Sequence, residues 1–328
     1  MARDEQVELE IAQLHGDYYA ARMPLAAIQT SKLSKDYGLG HGLFDLDLEV
    51  APQEVFGYLG PNGAGKSTTI RCLMGMIRPT LGSAHIFGLD CQHDSVAVKR
   101  KVGYMPGEMP QFGSMRGKDV VAYLGGLRGG ADSATVRNIA QRFDLDLGRR
   151  YREYSSGNKK KLGIVLAFMH RPDLLILDEP TGGLDPLNQQ EFYNLLRETR
   201  DAGATVFLSS HILSEVEHVC DRVGIIRAGR LVKVAELDEI HHIRLHRLEL
   251  EFAPGTEMPV EAIRSAAGVE DVVVRDRIVT CTVKGTFDPL LKALNGSTVT
   301  NLVSHEPSLE ETFLTYYRPD ATSEAMTR

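Results

Sequence analysis

The stretch that most constrains this chain is Gly60-Pro-Asn-Gly-Ala-Gly65-Lys66-Ser67, which completes the pattern G-x-x-x-x-G-K-[ST]. It follows the apolar run Val55 to Leu59 and precedes a stretch that reads as helix, so the local order is strand, glycine-rich turn, helix. Each residue type there has a chemical reason. The glycines Gly60, Gly63 and Gly65 let the backbone curl, with Asn62 and Ala64 between them. Successive N–H groups then point inward as an anion nest at a helix N-terminus that continues into Thr68. Lys66 adds a mobile charge for the β- and γ-phosphates of a nucleotide, and Ser67 offers a hydroxyl to Mg²⁺. A nucleoside triphosphate, ATP or GTP, is the expected ligand.

With 328 residues, the chain is long enough for one large domain and a smaller one. A net charge of −7 gives no broad electrostatic case for nucleic-acid binding. The four cysteines, Cys72, Cys91, Cys220 and Cys281, are scattered without metal spacing and read as reduced, buried thiols. No apolar run approaches the roughly 20 residues that span a bilayer. The acidic start carries no apolar secretory region, so a cytosolic chain, or one held at a membrane by a partner, is expected.

Residues 1–26 read as an N-terminal extension in which Val7, Ile11, Leu14 and Tyr18 share a helical face. Phe44, Leu46, Leu48 and Val50 alternate with acidic residues as a half-exposed strand. The region of about 83–170 reads as glycine-rich with helical stretches. Leu174–Leu177 and Thr205–Leu208 read as fully apolar strands of a parallel sheet covered on both faces. A hairpin follows, from Gly224 through a turn at Ala228-Gly229 to Val234. The expected core is therefore α/β. Residues 239–320 read as a separate accessory domain of order β-α-β-β-α-β plus a closing helix over Ser308–Tyr317, a small ferredoxin-like module, and 321–328 as a disordered tail.

The chemistry does not rest on one motif. Leu174-Leu-Ile-Leu is followed by Asp178 and Glu179, an apolar strand ending in two carboxylates. There Asp178 can hold Mg²⁺ through its water shell and Glu179 can polarise an attacking water. Between these motifs lies Tyr154-Ser155-Ser156-Gly157-Asn158; after them come Thr181-Gly-Gly-Leu-Asp185-Pro186 and Ser209-Ser210-His211. In this ordered set the chain resembles the nucleotide-binding subunit of an ABC transporter, over about residues 28–235.

The resemblance implies a P-loop NTPase (RecA-like) core with antiparallel β and helical subdomains over 27–238. It further implies that Tyr37 stacks on adenine and that Ser155 and Gly157 form the signature loop, which closes on the γ-phosphate held by a second copy. Asp185 would line that dimer interface, and His211 would contact γ-phosphate and steady Glu179. Lys66, Glu179 and His211 are thus the expected catalytic set, Ser67 and Asp178 the expected magnesium ligands.

Two departures from the family pattern stand out. The signature has Tyr154, Ser156 and Asn158 where the common form is Leu-Ser-Gly-Gly-Gln. The segment Lys101-Val-Gly-Tyr-Met-Pro106 continues as Gly107-Glu108 where the family usually has a glutamine, leaving Glu108 and Gln111 as replacements. That variant, and Glu306-Pro-Ser-Leu-Glu-Glu-Thr-Phe313, resemble the ABC-2-type branch of antibiotic and multidrug exporters. The implied protein is an ATPase subunit that pairs as a homodimer or pseudo-symmetric ATPase pair. It would sit on the cytoplasmic face of the membrane through a separately encoded, multi-spanning permease that docks on 107–128.

The alternatives are a soluble ABC ATPase acting on DNA or ribosomes, and a nucleotide-sensing regulator. The first is disfavoured by the single P-loop and the lack of a heptad arm or zinc cysteines; the second by the intact Asp178, Glu179 and His211. His241, His242 and His246 include an i, i+4 pair of metal-binding spacing, with a solvated linker as the plainer reading.

Overall fold

Three short apolar strands, Val55–Leu59, Leu174–Asp178 and Thr205–Ser210, are buried at every position, and the rest of the larger unit is arranged around them. The computed structural model describes residues 25–237 and 245–305 and divides into two units between Val234 and Ala235. In the first unit the strands are β1 (Ile28–Asp36), β2 (Gly42–Val50), β3 (Val55–Leu59), β4 (Leu81–Ile86), β5 (Leu89–Asp90), β6 (Val102–Met105), β7 (Leu174–Asp178), β8 (Thr205–Ser210), β9 (Arg222–Arg227) and β10 (Arg230–Glu236), whose last two residues lie past the division. Its helices are α1 (Lys66–Leu73), α2 (Ser95–Lys101), α3 (Gly117–Gly126), α4 (Ser133–Arg142), α5 (Ser156–Phe168), α6 (Pro186–Asp201) and α7 (Leu213–Val219).

The central sheet has the order β10-β9-β3-β8-β7-β6, and the pairs β9–β3, β3–β8, β8–β7 and β7–β6 are parallel. Parallel strands with both faces covered need apolar side chains in both directions, which is why β3, β7 and β8 show no alternation. Phe56 stacks on Phe207 across the β3–β8 pair, with ring centroids 5.9 Å apart. Because β3, β7 and β8 run side by side in one direction, the loops leaving their C-terminal ends meet. Those loops carry Gly60–Lys66, Glu179 and His211, and this is where parallel α/β sheets place ligands.

A second, antiparallel sheet has the order β2-β1-β4-β5. The expected alternation holds at Leu46, Leu48 and Val50, which are buried, but fails one step earlier: Leu43 is buried and Phe44 only partly so. The cause is a register shift opposite β1 together with a left-handed backbone at Asp45 (φ 48°), which moves Phe44 off the core face. The region 83–170 does hold helices α2 to α5, but strands β4, β5 and β6 also lie in or just before it. β6 is only Val-Gly-Tyr-Met and β4 is polar along half its length, so neither produces a periodic signal.

Local chemistry sets the helix boundaries. Asp132 caps α4 by accepting from the N–H groups of Ala134 and Thr135. Asp185 caps α6 ahead of Pro186, and Ser155 caps α5. Arg142 on α4 ties that helix to α6 through Glu191 and a two-armed contact to Glu198 at 2.6 and 2.9 Å.

One glycine before the turn is required by close approach. A Cβ on Gly60 would lie 2.3 Å from the carbonyl oxygen of Ile226 on β9. Gly60→Ala is therefore expected to lower stability by about 2 kcal/mol or more, since backbone must move to relieve the clash. A chemical-denaturation midpoint equal to that of the wild type would contradict this packing.

The second unit runs β11 (Leu245–Phe252), α8 (Val260–Ser265), β12 (Val269–Arg275), β13 (Ile278–Lys284), α9 (Asp288–Ala293) and β14 (Val299–His305). Its sheet order is β12-β13-β11-β14 with every neighbouring pair antiparallel. Leu248, Leu250, Phe252, Val279, Cys281 and Val283 alternate inward and meet Ile263 and Leu290 from the two helices.

All four cysteines are buried and free; burial pushes the thiols up, to about 11 at Cys72 and about 12 at Cys91, so they stay protonated and inert. Among the described residues no group of His, Cys, Asp or Glu has the arrangement of a metal site, and the ring of His246 packs 4.6 Å from that of Phe287. The expected N-terminal helical face, His241 and His242, the Ser308–Tyr317 helix and the 321–328 tail lie outside the described residues.

Candidate active site

The chain leaves β3 at Leu59 and turns through glycines in left-handed conformations, Gly63 at φ 79° and Gly65 at φ 111°. Side chains with a Cβ resist those angles, so the glycines are what allow the backbone to wrap before α1 begins at Lys66. The turn is braced from the side: Gly229, in the β9–β10 hairpin, donates to the carbonyl of Ala64 at 2.9 Å.

Lys66 is only 5% exposed. Its ammonium donates to the carbonyls of Gly60 (2.7 Å) and Pro61 (3.2 Å) and lies 3.2 Å from Glu179 Oε1. A buried cation needs such partners, and here they aim it across the turn at the space an anion would enter.

That space is a cleft of about 250 Å³ lined by Tyr37, His41, Gly42, Asn62, Gly63, Gly65, Lys66, Ser67, Thr68 and Glu179. Most of the residues expected to hold nucleotide thus converge. Tyr37 stands at one side of it, 54% exposed, with the Lys35 ammonium over its ring, 5.5 Å from the centre. Gly60 and Ala64 do not line the cleft but form the buried back of the turn.

Asp178 ends β7 almost fully buried, and both carboxylate oxygens are used. Ser67 donates to Oδ2 at 2.9 Å and Ser209, on β8, donates to Oδ1 at 2.6 Å. A hydroxyl and a carboxylate side by side are the kind of hard oxygens that would suit Mg²⁺.

The next residue, Glu179, has a left-handed backbone (φ 47°), an uncommon conformation for a side-chain-bearing residue. It is pinned by its own N–H, which donates to the Ser209 carbonyl at 3.1 Å and to Ser209 Oγ at 3.2 Å. Its carboxylate Oε1 faces Lys66 at 3.2 Å and His211 Nδ1 at 3.3 Å. The three residues expected to be catalytic, Lys66, Glu179 and His211, therefore meet at one carboxylate oxygen.

Three contributors to this site went unassigned in the sequence reading. Ser209 organises both Asp178 and Glu179. Glu215 on α7 is buried and accepts from Thr181 Oγ1 at 2.5 Å and from Ser210 Oγ at 2.6 Å, joining the segments that follow Glu179 and β8. Lys160 on α5 donates to the carbonyls of Gly107 and Glu179. The signal for Ser209 was its place two residues before His211; Lys160 and Glu215 carried none beyond residue type.

Ser155, Gly157 and Asp185 do not line the cleft. Ser155 Oγ accepts from the N–H of Asn158 at 3.2 Å at the exposed start of α5. A Cβ on Gly157 would sit 3.1 Å from the carbonyl of Gly183, so the signature and the segment before Asp185 are neighbours. Asp185 is held below the usual carboxylate range, first by the backbone N–H of Asn188 and then by that residue's side-chain amide. Glu108 and Gln111 are both exposed on the loop after β6, and neither lines the cleft.

The model of the ABC transporter family matches residues 43–182. The chain is 31% identical over 292 residues to a bacitracin transport ATP-binding protein, BcrA, of Enterococcus faecalis, covering 87% of this chain and 94% of that protein. It is 36% identical over 222 residues to a daunorubicin/doxorubicin resistance ATP-binding protein, DrrA, of Streptomyces peucetius, covering 66% of this chain and 67% of that one. Among solved structures, an ATP-binding subunit of an ABC transporter superposes with a TM-score of 0.61 at 30% identity, over 66% of this chain and 92% of that chain. A dimeric, post-hydrolysis ATP-binding cassette holding ADP and Pi shares the fold, with a TM-score of 0.57 at 19% identity over 64% of this chain and 98% of that chain.

Proposed function

This chain belongs to the ABC transporter ATP-binding family, and from that premise we propose that it is the ATP-hydrolysing subunit of a drug- or antibiotic-exporting transporter. The observation that carries this reading is the meeting of Lys66, Glu179 and His211 beside a glycine turn at the C-terminal edge of the parallel sheet. ATP enters the cleft with its adenine against Tyr37 and its β- and γ-phosphates in the nest of N–H groups from Asn62 to Thr68. Lys66 then exchanges Glu179 for phosphate oxygens. Ser67 and Asp178 would hold Mg²⁺, which supplies charge neutralisation at the β- and γ-oxygens when bound.

Glu179 accepts the proton of the water that attacks the γ-phosphorus as the bond to the β–γ bridging oxygen breaks and ADP leaves, and His211 holds the carboxylate in line. Ser155 and Gly157 lie outside the cleft because they serve the site of a second copy, closing over its γ-phosphate with a helix N-terminus. Two ATP molecules sandwiched this way hold a dimer together, and hydrolysis releases it.

No helix of the described residues is long and apolar enough to cross a membrane, which is in keeping with a permease encoded separately. The chain then sits at the cytoplasmic face of the membrane through that partner. The partner's membrane segments choose the cargo. Its cytoplasmic helices meet the 107–128 stretch, where Tyr123 and Leu127, one helical turn apart at the end of α3, are 59% and 70% exposed. The second unit, whose strand order we read as a ferredoxin-like module, serves dimer contact or regulation.

Replacing both Tyr123 and Leu127 with Asp is expected to abolish recovery of the membrane partner while leaving the isolated chain's ATPase within about twofold. Recovery of the partner at wild-type yield would move the docking site elsewhere. The whole reading is tested by tagging the chain in its host and solubilising membranes gently. A multi-spanning membrane protein at near-equal stoichiometry is expected; ribosomes or DNA in its place would overturn the reading.

A further inference from the structure

The three consecutive lysines that follow the signature read as a basic run, but they point to three different places. Lys159 lies over the Tyr151 ring, 5.2 Å from its centre, and Lys161 is close enough to Asp185 to help hold that carboxyl low. Lys160 turns inward. Its ammonium donates to the carbonyl of Glu179 at 2.9 Å and to the carbonyl of Gly107 at 2.8 Å.

We propose that Lys160 is a positioning residue that fixes the peptide of Glu179 from the signature helix, so that the α5 N-terminus and the chain's own Glu179 move as one body. The inference rests on the assignment of Glu179 as the general base.

Two observations make the contact more than a convenient hydrogen bond. Glu179 has the strained backbone of the site, at φ 47°, and its peptide is held on both sides: Ser209 takes the N–H and Lys160 the carbonyl. A residue in a sparsely populated conformation persists only when its surroundings over-determine it. The second carbonyl on Lys160 belongs to Gly107, the first residue of the stretch read as the permease dock. One ammonium thus joins the signature helix, the catalytic peptide and the start of the docking loop. Burial pulls the pKa of Lys160 below its ordinary value, while Asp178, Glu179 and Glu215 favour the charged form.

The consequence is communication between the two sites of a dimer. Ser155 and Gly157 at the start of α5 sense the γ-phosphate of the second copy, and Lys160, about one turn further on, carries that position to Glu179 of its own site. A purely structural lysine would affect stability alone; a positioning lysine changes turnover without changing nucleotide affinity.

The test is steady-state ATP hydrolysis by the full chain. Lys160→Met is expected to lower kcat about tenfold or more with KM for ATP within about threefold, and Lys160→Arg to restore at least half of the wild-type kcat. The Hill coefficient for ATP is expected to fall toward one in Lys160→Met. Wild-type kcat in Lys160→Met, or a loss confined to KM, overturns the proposal, as does an Arg variant as slow as the Met variant. Should the Met variant not fold, Lys160→Gln carries the same test, with reduced kcat expected and wild-type kcat fatal. Glu179→Gln is assayed alongside: if it turns over normally the assignment of the base fails, whereas an inactive Glu179→Gln beside a fully active Lys160→Met removes only the role of Lys160.

Discussion

Glu179→Gln is expected to lower kcat for ATP hydrolysis by about 10²–10³-fold, roughly 2.7–4 kcal/mol of transition-state stabilisation, while binding of ATP stays within about threefold. The amide keeps the shape of the carboxylate and still reaches Lys66 and His211, now 3.2 and 3.3 Å from Oε1, but it cannot take a proton from water. Glu179 is well placed for that task. It emerges one residue after Asp178, so the carboxylate that would suit a magnesium ion and the one that would face an attacking water stay separate, and its left-handed backbone is clamped by Ser209 and Lys160. A variant with wild-type kcat would mean that another group accepts the proton. A variant that lost ATP affinity as well would mean that Glu179 serves binding instead.

Lys66→Ala is the second large effect. The ammonium is buried, bonded to the carbonyls of Gly60 and Pro61, and is the cation that faces Glu179 across the turn. Removing it leaves the phosphates without that charge and Glu179 with one fewer partner. ATP affinity is expected to fall about 10²-fold and kcat/KM about 10³-fold or more, consistent with loss of one desolvated charge contact. Lys66→Arg should not rescue, because the side chain is only 5% exposed and leaves no room for the larger, planar guanidinium. Calorimetric titration of ATP measures the first effect, and the rise in melting temperature that ATP produces should vanish with it. An alanine variant that bound ATP at wild-type strength would place the nucleotide away from this turn.

What could be read from the sequence, and what could not, follows from how far each residue's partners lie along the chain. Lys66, Asp178, Glu179 and His211 stand at fixed offsets from short apolar strands, so locating β3, β7 and β8 locates them as well. Lys160 is different. Its partners are Gly107 and Glu179, and only the fold brings those loops together; in sequence it is the middle of a basic run. Glu215 reads as one acidic residue of an amphipathic helix until β8 places Ser210, and the chain after β7 places Thr181, against it.

The fold shows the same division. β3, β7 and β8 announce themselves because burial on both faces demands unbroken apolar runs. β4 and β6 do not: one is half polar and the other four residues long, and each exists because a neighbouring strand supplies its hydrogen-bond partners. The misread Phe44 has a local cause in the bulge at Asp45, since a register shift of one residue transfers the next side chain to the other face.

The most direct test of the composite ATP site is the solution mass of Glu179→Gln, measured by light scattering with MgATP and again with MgADP. With hydrolysis blocked, ATP should accumulate between two copies, joined by Ser155 and Gly157 of one chain over the γ-phosphate held at Lys66 of the other. A mass twice that of the single chain in ATP, returning to one chain in ADP, is the predicted result. A single-chain mass in ATP, with calorimetry showing the nucleotide bound, would contradict the two-chain site on which the account depends.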